Sequence, residues 1–157
     1  MAVKYIPEGY HTATPYLIVK GAEKAIEFYK KAFGAKLEMS MGHDGKIHHA
    51  EIRIGDSLIM LADEFPEMGA VSPESLGGSP ITLMLYFENV DLMFKQAVDA
   101  GATVERPLAD QFYGDRTGGI KDPFGHKWYL ATHVEDVSPE ELEKRSAEFQ
   151  KQKAAAQ

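Results

Sequence analysis

The sequence predicts an α+β fold made of two βαβββ modules, each with one helix and four strands, followed by a C-terminal helix. The main observation is an internal repeat: residues 14–35 and 82–102 each read as a short apolar strand, a polar dipeptide and a helix that ends in Gly-Ala. Strand-like segments and a glycine-centred turn follow each copy. The length of 157 residues is that of one domain or of two very small fused ones.

The repeat divides the chain into four segments. We expect the first module at 12–62 and the second at 81–134. Segment 63–80 holds three of the eight prolines and three glycines, and this composition predicts a linker between the modules. The remaining segment, 138–157, is predicted to be a helical tail.

In the first module, the short apolar run at 16–19 is rich in β-branched residues and predicts a strand. Apolar residues then recur at spacings of three and four over 22–33, which places them on one face of a helix. Gly34 follows at the position where a left-handed cap commonly ends a helix. Around a His-Asp-Gly turn at 43–45 and after it, further strands are predicted at 37–41, 46–54 and 58–61.

The second module repeats this order with less regular signals. A strand over 82–87 precedes a helix over 90–100, which is expected to bury Val90, Phe94, Ala97 and Val98. Strands at 118–122 and 128–132 flank an Asp-Pro-Phe-Gly turn, and the glycine-containing stretch 111–119 is predicted to connect strands. After the module, Ser138-Pro139-Glu140-Glu141 forms a capping box, and the helix it starts can dock lightly through Leu142 and Phe149.

Composition excludes several classes of function. The formal net charge is −7, from 17 Lys and Arg against 24 Asp and Glu, which argues against binding nucleic acid or an anionic membrane. The absence of cysteine excludes disulfide scaffolds, thiol nucleophiles and thiolate metal sites, and it is compatible with the cytoplasmic location that we expect. No apolar run approaches ~20 residues, so no membrane span is predicted, and the N-terminus lacks the pattern of a signal peptide.

Three segments of the repeat carry a resemblance to a known family. They are AIEFY with FGA at 25–29 and 33–35, HAEIRIGDS at 49–57, and DPFGHKW at 122–128. With the duplicated module, they make residues 12–134 resemble the vicinal-oxygen-chelate superfamily of glyoxalases, bleomycin-resistance proteins and extradiol dioxygenases. Among its branches, the sequence is most similar to the PhnB-like group.

The resemblance implies that the sheets curl around a cleft and that the protein is a homodimer whose clefts use residues of both chains. It also implies where a metal ion would bind in the enzymes of the family. Those positions fall here on Thr14, about Ile59, Thr82 and Tyr129. Such side chains do not hold a divalent metal, which prefers His, Asp or Glu. We therefore expect no cofactor, although the family's metal chemistry stays an alternative.

Candidate ligand-binding residues line the predicted strand faces. Tyr16, Met84 and Tyr129 share faces with Thr14 and Thr82, which suits a flat or apolar ligand, although a filled core is the simpler interpretation. On the strand 46–54, His49 and Glu51 alternate with apolar residues, so they face either the cleft or solvent. In the connection 111–119, Tyr113 is a further candidate. Arg116 is expected either to bind a ligand carboxylate or phosphate or to pair with Asp110 or Asp115.

These observations leave three hypotheses. The first is a metal-free protein that sequesters a small aromatic or amphiphilic molecule, with the net charge of −7 favouring a cationic one. The second is a glyoxalase-type lyase or isomerase that holds a metal with His49, Glu51 and a partner such as His11 or His133. The third is a scaffold or regulatory dimer whose cleft is filled.

Overall fold

The structure is a computed structural model that describes residues 2–157. The first module consists of β1 (Tyr16–Val19), α1 (Ala22–Phe33), β2 (Lys36–His43), β3 (Lys46–Ile54) and β4 (Ser57–Asp63). A single 3₁₀ turn (Pro66–Met68) and the short helix α2 (Pro73–Leu76) follow. The second module consists of β5 (Thr82–Tyr86), α3 (Val90–Ala100), β6 (Thr103–Asp110), β7 (Asp115–Lys121) and β8 (Lys127–His133), and α4 (Pro139–Ala155) ends the chain.

Each module folds into its own four-stranded mixed sheet, which confirms the predicted α+β class. The strand orders are β1-β4-β3-β2 and β5-β8-β7-β6, so the two modules have the same topology. In each sheet the first and fourth strands pair in parallel, while the other neighbours are antiparallel. A helix connects the first two strands of each module and covers one side of its sheet. We call the other side the open face.

The start of α1 is fixed by a residue far along the chain. Gly21 precedes the helix in the left-handed conformation at φ 85° and offers no side chain to cap it. The buried Asp63 carboxylate at the end of β4 accepts hydrogen bonds from the backbone N–H groups of Gly21 (2.8 Å) and Ala22 (2.9 Å). The other end follows the prediction, since Gly34 adopts the left-handed conformation at φ 68°.

The core lies between the sheets and helices α1 and α3, which also pack against each other. Trp128 of β8 is fully buried, and its ring lies 5.5 Å from Tyr29 and 4.9 Å from Phe33, both on α1. The Gln96 side-chain amide of α3 donates to the Lys31 carbonyl at the end of α1 at 2.8 Å. The two modules therefore share one hydrophobic core.

The segment between the modules, predicted as a linker over 63–80, contains local structure. The 3₁₀ turn and α2 lie within it, between β4 and β5. Ser72 is completely buried and its hydroxyl accepts from the Ser75 N–H at the start of α2. The Glu64 carboxylate accepts in turn from the Ser72 N–H and the Ser75 hydroxyl.

The second module departs from the sequence predictions in three places. β6 had no predicted bounds, and β7 begins at Asp115, so Arg116 lies on a strand rather than in a connection. The glycines that suggested a loop instead allow close packing: an added Cβ at Gly118 would lie 2.6 Å from the Phe94 ring. Val98 is only partly buried, whereas Val90, Phe94 and Ala97 are buried as predicted.

The tail helix α4 lies on the surface with no buried residue. Its N-cap is Ser138, whose hydroxyl accepts from the Glu141 N–H at 3.2 Å. The Phe149 ring packs on the Phe112 ring, with their centroids 5.2 Å apart, as expected from the predicted docking of the tail through Phe149. None of the helices described over 2–157 combines the length and apolar character needed to cross a bilayer.

Candidate functional site

Alternation along β3 decides which side chains reach the open face of the first sheet. Ala50 and Ile52 are fully buried against the helix side, so His49 and Glu51 point the opposite way. Tyr16 of β1 reaches the same face, because Leu17 beside it is buried in the core. The polar set of the strand therefore lies on the open face.

Strand pairing brings three of the predicted residues into one hydrogen-bonded chain. The Tyr16 hydroxyl lies 2.8 Å from His49 Nδ1, and His49 Nε2 lies 3.1 Å from Glu51 Oε1. A carboxylate only accepts hydrogen bonds, so His49 Nε2 carries the proton directed at Glu51, and when the ring is neutral its Nδ1 accepts from the Tyr16 hydroxyl. This arrangement is assigned from the partners, and it makes Tyr16 the donor at the solvent end of the chain.

Glu51 is held in its ionised form by its neighbours. The Tyr10 hydroxyl and then the His49 ring lower the pKa of Glu51, which outweighs the opposing effect of burial. The Tyr10 hydroxyl is itself buried and lies beside Glu51 without a hydrogen bond of good geometry. Burial and the nearby carboxylate raise the pKa of Tyr10 to about 12. Sequence reasoning missed Tyr10, because it precedes the first strand and carries no pattern.

On the second sheet, Tyr129 forms a flat platform. Its register partner on β5 is Met84 and on β7 is Gly119. An added Cβ at Gly119 would lie 3.0 Å from Tyr129 Cε1, so the ring packs closely over the glycine. The Arg106 guanidinium covers the ring at 5.5 Å from its centroid, and its Nη1 lies 3.4 Å from the Tyr129 hydroxyl.

Arg106 is the second residue that sequence reasoning missed. A signal was present in the repeat, because Arg106 pairs with Gly119 as Met39 pairs with Glu51 in the first sheet. Aligning β6 and β7 with β2 and β3 in the same register would have placed Arg106 at the position of Met39, opposite the predicted site residue Glu51. The irregular pairing on both sides of Arg106 hides this relationship in the sequence.

Thr14 lies at the junction of the two modules. It lines two cavities, of about 140 Å³ and about 360 Å³, and Leu83 of β5 lines both as well. Met84 contributes to the smaller cavity and Tyr16 to the larger one. Thr82 begins β5, where it pairs with Lys127.

The other two candidates lie apart from this group. Arg116 points to the helix side, where it donates to both carboxylate oxygens of Asp91 on α3 at 2.9 and 2.8 Å. It also lies 3.4 Å from Asp110, one of the two expected partners, and not beside a ligand position on the open face. Tyr113 lies in the turn between β6 and β7, packed edge-on against Phe112.

A second polar cluster occupies one end of the second sheet. The buried Asp115 carboxylate accepts from the Tyr86 hydroxyl at 2.8 Å and lies 2.7 Å from His133 Nδ1. His133 Nε2 lies 2.8 Å from the exposed Asp136. Hydrogen bonds to Asp115 and then Asp136 raise the pKa of His133.

The residues at the family's metal positions do not fit a divalent metal. Ile59 is buried in the core. The next residue, Met60, pairs with Tyr16 in the first sheet, and Tyr129 holds the equivalent position in the second sheet, where it pairs with Met84. Thioether and phenol groups are poor ligands for the metals that prefer imidazole and carboxylate. Within residues 2–157, no three His, Asp or Glu side chains lie together in a way that suits a metal ion. Among the same residues, the pair His49 and Glu51 has no third ligand of this kind.

Comparison with known proteins places this geometry in context. The family described as Glyoxalase/Bleomycin resistance protein/Dioxygenase superfamily matches residues 10–130. An uncharacterized protein of Mycobacterium bovis is 45% identical over 134 residues, which cover 83% of this chain and 88% of that protein.

Two solved structures illustrate the similarity in fold. TioX from Micromonospora sp. ML1 has a TM-score of 0.63 and 21% identity, covering 82% of this chain and 100% of TioX. A PhnB protein from Bacillus cereus has a TM-score of 0.60 and 20% identity, covering 78% of this chain and 99% of that chain. At these identities, the likeness concerns the fold.

Proposed function

The chain belongs to the glyoxalase/bleomycin resistance protein/dioxygenase superfamily, and we propose that it is a metal-free binding protein of that superfamily. In this proposal it sequesters a small aromatic or amphiphilic molecule on the open faces of its sheets. The chain acts as a homodimer in which these faces line a cleft. We assign it to the PhnB-like branch on the motifs of its repeat, and to the cytoplasm.

The observation that carries the proposal is the character of the open faces. Tyr16 is 47% exposed and Met84 is 39% exposed, and both lie on strands whose other faces pack against the helices. Side chains of this kind gain about 25 cal/mol for each Å² of apolar surface that a ligand buries. Glu51 and His49 supply polar groups beside them, a combination typical of small-molecule sites.

The test combines metal analysis with the binding of a named probe. Protein purified without chelator is expected to contain far less than one transition metal per chain while it binds 2-naphthol in isothermal titration calorimetry. Tyr16→Ala is expected to weaken this binding about tenfold, which corresponds to about 1.4 kcal/mol. Tyr5→Ala is the matched control, because Tyr5 is 96% exposed near the N-terminus, and it is expected to change nothing.

A glyoxalase-type enzyme is the alternative, because His49 and Glu51 lie together on the open face. It requires a stoichiometric metal that is lost in His49→Ala or Glu51→Gln, and that result would overturn the metal-free proposal. A scaffold dimer with a filled cleft requires that no aromatic probe binds to the wild type and that none binds to Tyr16→Ala either.

A further inference from the structure

We propose that the platform of Arg106 and Tyr129 binds the carboxylate of a planar aromatic ligand. This inference rests on the proposed function and specifies the chemical class of the ligand. It reverses the expectation from overall charge, because the net charge of −7 favours a cationic ligand at long range. The local arrangement of charge on the open faces leads to the opposite conclusion.

The geometry shows that the platform is built closely. The guanidinium of Arg106 lies 5.5 Å above the Tyr129 ring, and the ring lies over the bare backbone of Gly119. An added Cβ at Gly119 would come within 3.4 Å of Arg106 Cβ, so all three residues share the open face. The contact with the ring restricts the guanidinium and reduces the entropy that a ligand must remove to engage it.

The charge of Arg106 is not neutralised by the protein. Among residues 2–157, no carboxylate lies within ion-pair distance of Arg106, and its one side-chain hydrogen bond, to the Tyr129 hydroxyl, is long at 3.4 Å. Arg53, on the open face of the first sheet, donates to Glu38 at 2.7 Å. Glu51 Oε1 lies within hydrogen-bond distance of His49 Nε2, at 3.1 Å.

The position of Arg106 over an aromatic ring favours a carboxylate attached to a flat group. Apart from the long contact of Nη1 with the Tyr129 hydroxyl, its side-chain N–H groups have no acceptor among residues 2–157, and two such N–H groups match the two oxygens of a carboxylate. Met84 lies beside Tyr129 and supplies an apolar, polarisable surface for the aromatic part. A ligand with both groups uses the charge of Arg106 and the apolar area together.

The experiment compares three probes of equal size in the full chain: 2-naphthoate, the neutral 2-naphthamide and the cationic 2-naphthylmethylammonium. Isothermal titration calorimetry at low salt is expected to show 2-naphthoate binding at least about tenfold more tightly than the amide, as one charge-assisted bidentate contact would give. This preference is expected to fall as salt is added, because the site is solvent-accessible.

Arg106→Gln is expected to abolish the preference for the carboxylate and to leave the affinity for the amide within about twofold. Arg53→Gln is the matched control, since this arginine also lies on an open face but is paired with Glu38. It is expected to retain the full preference. Gly119→Ala is expected to weaken all three probes, because the added methyl displaces the Tyr129 ring.

The outcomes separate this inference from the proposed function. If the amide or the cation binds as tightly as the carboxylate, or if the preference survives in Arg106→Gln, the inference is overturned while small-molecule binding stands. If none of the three probes binds, the proposed function fails and the inference fails with it.

Discussion

The Asp122 carboxylate of the second module accepts a 2.6 Å hydrogen bond from the Tyr29 hydroxyl of the first. Asp122 is only 2% exposed, and the same oxygen accepts from Trp128 Nε1 at 2.9 Å. Its other oxygen accepts from the backbone N–H groups of Phe124 and His126. One buried carboxylate thus shapes the Asp-Pro-Phe-Gly turn and also ties the two modules together.

Tyr29→Phe is expected to lower the free energy of unfolding by about 1.5–3 kcal/mol, because it removes one hydrogen bond to a buried charge. Asp122→Asn is expected to cost more, about 3–5 kcal/mol, since an amide leaves buried donors without acceptors. Urea denaturation followed by Trp128 fluorescence measures both. Equal stability of Tyr29→Phe and the wild type would show that the contact between the modules contributes nothing net.

Helices α1 and α3 each begin with a backbone N–H that donates to a side chain near the end of the fourth strand of the same module. Asp63 accepts from Gly21, Ala22 and the Ile47 N–H, whereas the Thr132 hydroxyl accepts only from Val90 N–H at α3. Asp63→Ala is therefore expected to destabilise the fold by about 1–3 kcal/mol and Thr132→Val by about 1 kcal/mol. Thermal unfolding measures this order, and a larger effect of Thr132→Val would contradict it.

His133 is expected to bind its proton more tightly in the folded protein than in the unfolded chain. Asp115 and then Asp136 raise its pKa above the ordinary value of 6.5. The stabilisation by the charged ring is therefore complete below about pH 6.5 and disappears as the pH rises through the raised pKa.

The measurement is an NMR titration of the His133 ring, together with the stability of His133→Gln across pH. The deficit in stability of His133→Gln is expected to shrink as the solution becomes more alkaline, and Asp136→Asn is expected to lower the pKa of His133 only in part. An observed pKa at or below 6.5 would refute this account.

Deletion of residues 138–157 is expected to leave the rest of the fold intact. α4 has no buried residue, and its aromatic contact, Phe149 on Phe112, is worth about 1 kcal/mol. The exposed ion pairs of Arg145 with Glu135 and Glu141 add little. Urea denaturation checks stability, and light scattering checks oligomeric mass. A change in mass would show that the tail takes part in assembly.

The architecture and the orientation of individual strands followed from the amino-acid sequence alone. The repeat predicted two modules of the same order, and alternation over 46–54 predicted that Ala50 and Ile52 face the helix. Gly34 and Ser138 marked a helix end and a helix start correctly. These features depend on a few adjacent residues, so local periodicity and capping chemistry are sufficient to predict them.

The contacts between side chains of different strands became known from the folded structure. Tyr16 reaches His49, 33 positions away, because β1 lies beside β4 and β4 beside β3. The same kind of pairing placed Arg106 over Tyr129 and turned Arg116 toward α3. The sequence of a strand fixes the alternation of its own side chains. Which strands lie beside it is fixed by hydrogen bonding between segments far apart in the chain, and no local sequence pattern records these strand pairs.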